Sequence, residues 1–112
     1  MSSYFSIGYI LSAPAGSKSS VLLYEVEAAR VLKNVEVEVH FPSGQAFKLH
    51  VWLSRGTKQI LPSKNYYAGD GHTARDRCSD EIQSGEHIYL NYENTDSTNA
   101  QSCFVLLKGE LE

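Results

Sequence analysis

No apolar run in this 112-residue chain approaches the ~18 residues that a membrane-spanning helix requires. Nor is there an excess of basic residues: 10 Lys and Arg stand against 13 Asp and Glu, a net charge of −3. The first absence removes a helical span, and no membrane partner is expected. The second argues against bulk binding to nucleic acid, whose domains are usually basic. Cysteine is scarce as well. Cys78 and Cys103 could form one disulfide, but they build no framework, so reduced thiols are expected, with Cys103 a small buried hydrophobe in an apolar run. There is no Asn-x-Ser/Thr sequon, internal repeat or low-complexity tract. The apolar segment Tyr4–Ala13 is interrupted by Ser6 and Gly8 and has no Lys or Arg before it, unlike a signal peptide. It reads as an N-terminal strand or arm within residues 1–16, on a chain that stays where it is made or is assembled there.

What is abundant is alternation. Val35-Glu36-Val37-Glu38-Val39-His40-Phe41 and Phe47-Lys48-Leu49-His50-Val51-Trp52-Leu53 both alternate apolar and polar residues, the period of a half-buried strand. Between them Pro42-Ser43-Gly44-Gln45-Ala46 has turn composition, and the two runs read as a hairpin. That register sets Phe41 against Phe47 and Val37 against Val51 on the core face, with Glu38 beside His50 and Glu36 beside Trp52 on the other. Further strands are expected at Tyr4–Leu11, Ser20–Val31 (broken near Ala28), Lys58–Leu61, Glu86–Glu93 and Ser102–Leu107. The run Cys103–Leu107 suggests burial on both faces. Residues 62–82 are polar around Gly69-Asp70-Gly71 and read as a long loop. The fold class is therefore an all-β antiparallel sandwich or jelly roll of about seven or eight strands, in a single domain spanning 1–112.

No catalytic signature accompanies this pattern. His72 and Cys78 could meet as base and nucleophile if the long loop folded on itself, but no oxyanion-hole motif surrounds them. Asp70, His72, Asp76, Cys78, Asp80 and Glu81 match neither an EF-hand nor a zinc knuckle, and their mixed hard and soft donors specify no metal. No cofactor is expected. Charge is uneven, however: between residues 55 and 77 five cations, Arg75 and Arg77 among them, face only Asp70 and Asp76. A basic loop bearing Tyr66 and Tyr67 on an otherwise acidic domain could dock on an acidic partner or a second copy. Trp52 offers an aromatic anchor, and the seven tyrosines supply rigid contact area. Trp52, Tyr66, Tyr67, Arg75 and Arg77 are the candidate partner-binding residues.

From Gly85-Glu86 through the apolar strand His87–Glu93, the loop Glu93-Asn94-Thr95-Asp96-Ser97 and a last strand ending at Leu111, the chain resembles the closing hairpin of small viral jelly rolls. Similar segments occur in phage head-decoration (cement or staple) proteins and other virion accessory domains. The resemblance implies a non-enzymatic protein that binds a capsid lattice in the virion, with the major capsid protein or another virion protein as partner, often as a homo-oligomer. Two readings compete with it. One is a carbohydrate-binding sandwich in which Trp52, Tyr66 or Tyr67 stack on sugar rings. The other is a small Cys/His enzyme built on Cys78.

Overall fold

The computed structural model describes residues 3–112. They form eight strands: β1 (Ser3–Ala13), β2 (Lys18–Glu25), β3 (Leu32–Phe41), β4 (Leu49–Arg55), β5 (Lys58–Leu61), β6 (His72–Cys78), β7 (His87–Asn94) and β8 (Gln101–Leu111). Two four-stranded antiparallel sheets pack face to face, ordered β1-β8-β3-β6 and β2-β7-β4-β5. First pairs with last, second with seventh, third with sixth and fourth with fifth, which is the folded-over arrangement of a jelly roll. The chain changes sheet at every connection except β4–β5.

Alternation explains the core. Val35, Val37, Val39 and Phe41 of β3 point inward from the first sheet; Leu49, Val51 and Leu53 of β4 meet them from the second. Ile88 and Leu90 of β7 and Cys103, Val105 and Leu107 of β8 complete one continuous cluster. Burying each such Leu or Val stabilises the fold by about 1.5–3 kcal/mol before entropy is charged.

The expected β3–β4 hairpin is not formed. β3 pairs with β6 and β8, β4 with β5 and β7. Both runs do send their apolar faces into one core, but from opposite layers, so Glu38 and His50 lie on opposite outer surfaces, as do Glu36 and Trp52. The connection is an arch, in which Gly44, Ala46 and Phe47 all take positive φ (91°, 51° and 60°). Its polar groups bind neighbouring loops: Gly44 N–H donates to Asp70 Oδ1 (2.7 Å), Gly71 N–H to the Pro42 carbonyl (3.1 Å) and Thr95 N–H to the Lys48 carbonyl (2.9 Å). Phe47, expected in the core opposite Phe41, is carried by this backbone onto the surface.

Four other expectations need correction. Residues 62–82 are not one loop, because β6 lies inside them and adds an edge to the first sheet. The segment Ser20–Val31 is shorter as a strand: β2 ends at Glu25 and the chain turns through Ala29 at φ 64°. In β8 only alternate residues are buried, leaving Phe104 and Leu106 on the outer face. The β7–β8 connection, expected as a hairpin, crosses between the sheets.

That crossing is held by a buried polar knot. Asp96 accepts from Thr98 and Asn99 backbone N–H groups (3.0 and 3.2 Å) and from Gln101 Nε2 (2.9 Å). Asn94 Nδ2 donates to the carbonyls of Ala13, Pro14 and Asn99 at 3.0–3.2 Å, tying the end of β7 to the β1–β2 turn. Hydrogen bonds from Thr98 and Asn99 hold the Asp96 carboxyl well below the usual carboxylate range, against the opposing effect of its desolvation.

Candidate binding surfaces

The five residues picked from the sequence do not form one site. Trp52 and Tyr66 lie on the outer face of the second sheet. Arg75 and Arg77 lie on the outer face of the first, on the far side of the sandwich. Tyr67 sits at the seam between them.

The second-sheet surface follows from the outward positions of β4 and β7. Trp52 stands opposite Asn91, which stands opposite Ser20 on β2, and the next row sets Ser54 against Tyr89. Together with Gln59 these residues line a shallow depression of about 550 Å³. Trp52 is half-buried at its edge. Nearby, Tyr66 stacks on His50 with ring centroids 3.7 Å apart and planes 10° off parallel. Backbone bonds between Tyr67 and Val51 (2.8 and 3.0 Å) place this aromatic pair against β4.

Tyr67 itself turns the other way. Its hydroxyl donates to Asp76 Oδ2 on β6 at 2.7 Å, closing the flank of the sandwich between the two sheets. Burial, then the hydrogen bond to Asp76, push the phenol far above its ordinary value. This side chain ties the sheets together.

On the first sheet, Arg75 faces Glu38 and Arg77 faces Glu36 across the β3–β6 ladder. Arg75 Nε lies 3.2 Å from Glu38 Oε1, Arg77 bonds Glu36, and Lys108 of β8 lies 2.6 Å from Glu38 Oε2 and 3.9 Å from Glu36 Oε2. The Lys108 hydrogen bond is the main influence lowering the Glu38 carboxyl, ahead of opposing desolvation and the further pull of Arg75. Arg75 and Arg77, two of the five cations behind the basic excess seen in the sequence, are thus met by carboxylates of the neighbouring strand. Such exposed ladders add little stability and favour one strand register.

Beyond Glu38 the same face becomes apolar. The row Ile10–Phe104–His40–Thr73 runs across all four strands. Phe104 lies over Gly8, where an added Cβ would come within 2.9 Å of its ring, and its centroid is 5.7 Å from that of His40. His40 Nδ1 lies 2.8 Å from Thr73 Oγ1. An open groove of about 590 Å³ follows between Ile10, Phe104, His40 and His72. Phe47 flanks it, 6.2 Å from His72 between centroids. Ile10 is 77%, Phe47 57% and Phe104 37% exposed. Sequence reasoning missed this patch because it placed Phe47 and Phe104 in the core. The available signal was the run Cys103–Leu107: in any two-layer sandwich alternate members of such a run must face outward.

His72 and Cys78 occupy opposite ends of β6, ~20 Å apart at strand spacing, and do not meet. His72 packs on Phe41, and Asp70 clamps the arch. Cys78 is buried, which pushes its thiol up, away from the thiolate a nucleophile requires. Cys103 is also free and buried, its thiol pushed up to about 12 by desolvation. Among the described residues no group of three His, Cys, Asp or Glu side chains converges as a metal site.

No family model and no curated protein matches the chain. Several solved structures resemble it. The crystal structure of FLHE superposes with a TM-score of 0.54 at 12% identity, covering 96% of each chain. A chain of the Bacillus endospore appendages, a family of disulfide-linked pili, gives 0.45 at 6% identity, covering 98% of this chain and 88% of that one. A chain of the cyanophage Pam1 capsid asymmetric unit gives 0.46 at 9% identity, covering 98% and 83%. The likeness to FLHE is one of fold, and at 12% identity it goes no further.

Proposed function

We propose that this chain is a non-enzymatic structural protein of a virion, binding and stabilising a capsid lattice through protein–protein contacts on the outer face of its first sheet. The observation that carries the reading is the apolar patch of Ile10, Phe104 and Phe47 beside a charge ladder that is internally paired. Contiguous exposed apolar surface on a small domain marks an interaction site. The groove within it is open and apolar, suited to a protruding side chain of another protein. The capsid as partner rests on the resemblance of Gly85–Leu111 to virion jelly rolls. A lattice multiplies weak single contacts, so one modest patch per copy suffices.

The test is co-sedimentation of the purified protein with virus particles from the same source. Binding should saturate at a fixed ratio to the major capsid protein. The double variant Phe47→Asn with Phe104→Ser should fold and lose at least tenfold in affinity, since two partly buried aromatic anchors at an interface contribute more than 1.4 kcal/mol together. No association of the native chain with particles would refute the proposal.

A carbohydrate-binding module is the second reading, favoured by Trp52 and the Tyr66–His50 stack sharing the second-sheet face with Asn91 and Gln59. A glycan array read through Trp52 fluorescence tests it. Saturable quenching that disappears in Tyr66→Ala would support this reading over the first.

A further inference from the structure

Each sheet has two edges, and three of the four carry a feature that discourages further pairing. β2 has a bulge between Leu22 and Tyr24, with Lys18 and Glu25 at its ends. β5 is only four residues long, begins at Lys58 and runs into Pro62, which has no N–H. β6 carries Arg75, Asp76 and Arg77 in succession. Charges, bulges, proline and short length are the devices by which sandwich proteins blunt their edges. β1 has none of them. Its eleven residues, Ser3 to Ala13, contain no charge and no proline, and its ladder with β8 runs unbroken from Ser3↔Leu111 to Ala13↔Gln101. One side of β1 is satisfied by β8, and among the described residues no strand pairs with the other.

We propose that β1 pairs antiparallel with β1 of a second copy about a two-fold axis at Ile7, joining two four-stranded sheets into one of eight. The register comes from the side chains. Centred on Ile7, the pairing sets Tyr4 opposite the partner's Ile10, and these are the two most exposed large apolar side chains of the protein, at 92% and 77%. It sets Phe5 opposite the partner's Tyr9 on the inner face, where both are half-buried. Between the two Tyr4–Ile10 contacts come Ser6 and Gly8, small enough for the strands to approach without obstruction. Every paired residue falls on the same face as its partner, as antiparallel pairing demands. The inference rests on the edge strand rather than on the capsid reading, with which it shares only Ile10.

The contact is modest. Nine paired residues span ~30 Å, and a joint one sandwich deep (~10–15 Å) covers on the order of 300–450 Å² per copy, against ~800 Å² in a standard interface. Dissociation constants in the high micromolar range are expected, so the dimer forms at high concentration or where copies are held side by side.

Light scattering behind size exclusion, run to ~1 mM, tests this, because specific association weaker than that falls outside the useful range. The mass of the native chain should rise from 12.5 kDa toward twice that value. Tyr4→Lys with Ile10→Lys places like charges opposite each other twice and should hold the protein monomeric at every concentration. Tyr4→Lys with Ile10→Glu places opposite charges there and should restore the dimer. Both positions are solvent-exposed, and circular dichroism should show unchanged folding. A native chain that stays monomeric throughout, or a dimer that survives the double-lysine variant, would overturn the proposal. Failure of the Lys/Glu pair to rescue would overturn the register.

Discussion

The two leucines of adjacent positions in β8 provide a sharp test of how the sandwich is built. Leu107 is fully buried, between Ile7 of β1 and Val37 of β3 in register, and reaches into the cluster beneath. Leu106 lies on the opposite face, between Gly8 and Glu38, and is only partly covered. Leu107→Ala removes a side chain from a close-packed core and leaves a cavity that two sheets cannot collapse to fill, a loss of about 3 kcal/mol within the usual range of about 2.7–5. Leu106→Ala removes surface that water already reaches in part, and should cost about 1 kcal/mol. Urea unfolding followed by Trp52 fluorescence or far-UV circular dichroism measures both. With m about 2 kcal/mol/M, the Leu107 variant should unfold about 1.5 M earlier than the native chain and the Leu106 variant about 0.5 M earlier, at unchanged m. Equal shifts would refute the assignment of β8 to a single sheet with one wet face.

Three further outcomes follow from the polar contacts. The Asp96 carboxyl is held low in the folded chain, so its contribution is complete above the unfolded carboxylate pKa of about 4 and is lost as pH falls below it; the acid limb of Tm against pH should be shallower in Asp96→Asn, and an unchanged limb would contradict the knot. Tyr67→Phe removes the hydroxyl that bridges to Asp76 and should cost about 1 kcal/mol; in the native protein, ultraviolet titration should show one of the seven tyrosines resisting ionisation above pH 11 until the fold is lost. Gln45 is buried in the β3–β4 arch with its Oε1 lacking a hydrogen-bond partner, so Gln45→Met should be neutral or raise stability by about 1 kcal/mol, read as a higher urea midpoint.

Strand content was legible in the sequence because period-two alternation reports directly on which side chains meet the core. β1, β4, β5 and β7 were found within two residues of their observed bounds, and β3 begins three residues before its expected start. Pairing was not legible. An apolar face directed at a core looks the same whether the neighbouring run lies beside it in one sheet or opposite it in the other, and the five residues Pro42–Ala46 serve an arch as well as a hairpin. β6 was missed because Thr73-Ala74-Arg75-Asp76-Arg77 is an exposed edge with only Cys78 buried, and so has no apolar stripe. The five candidate partner residues were chosen on side-chain type, and the fold scatters them: two in a self-paired ladder, one bracing a seam, two on the other sheet. The Ile10–Phe104–Phe47 patch arises from strands distant in sequence, and it emerges only once β1, β8 and β3 are laid side by side.

The most direct measurement is amide hydrogen exchange of the protein free and bound to virus particles, resolved by peptide. Capsid binding through the first sheet predicts new protection in residues 40–47, 71–73 and 102–104, around the apolar groove, with residues 50–54 and 89–91 of the second sheet unchanged. Protection confined to the second sheet, or no difference because the protein does not stay with the particles, would contradict it.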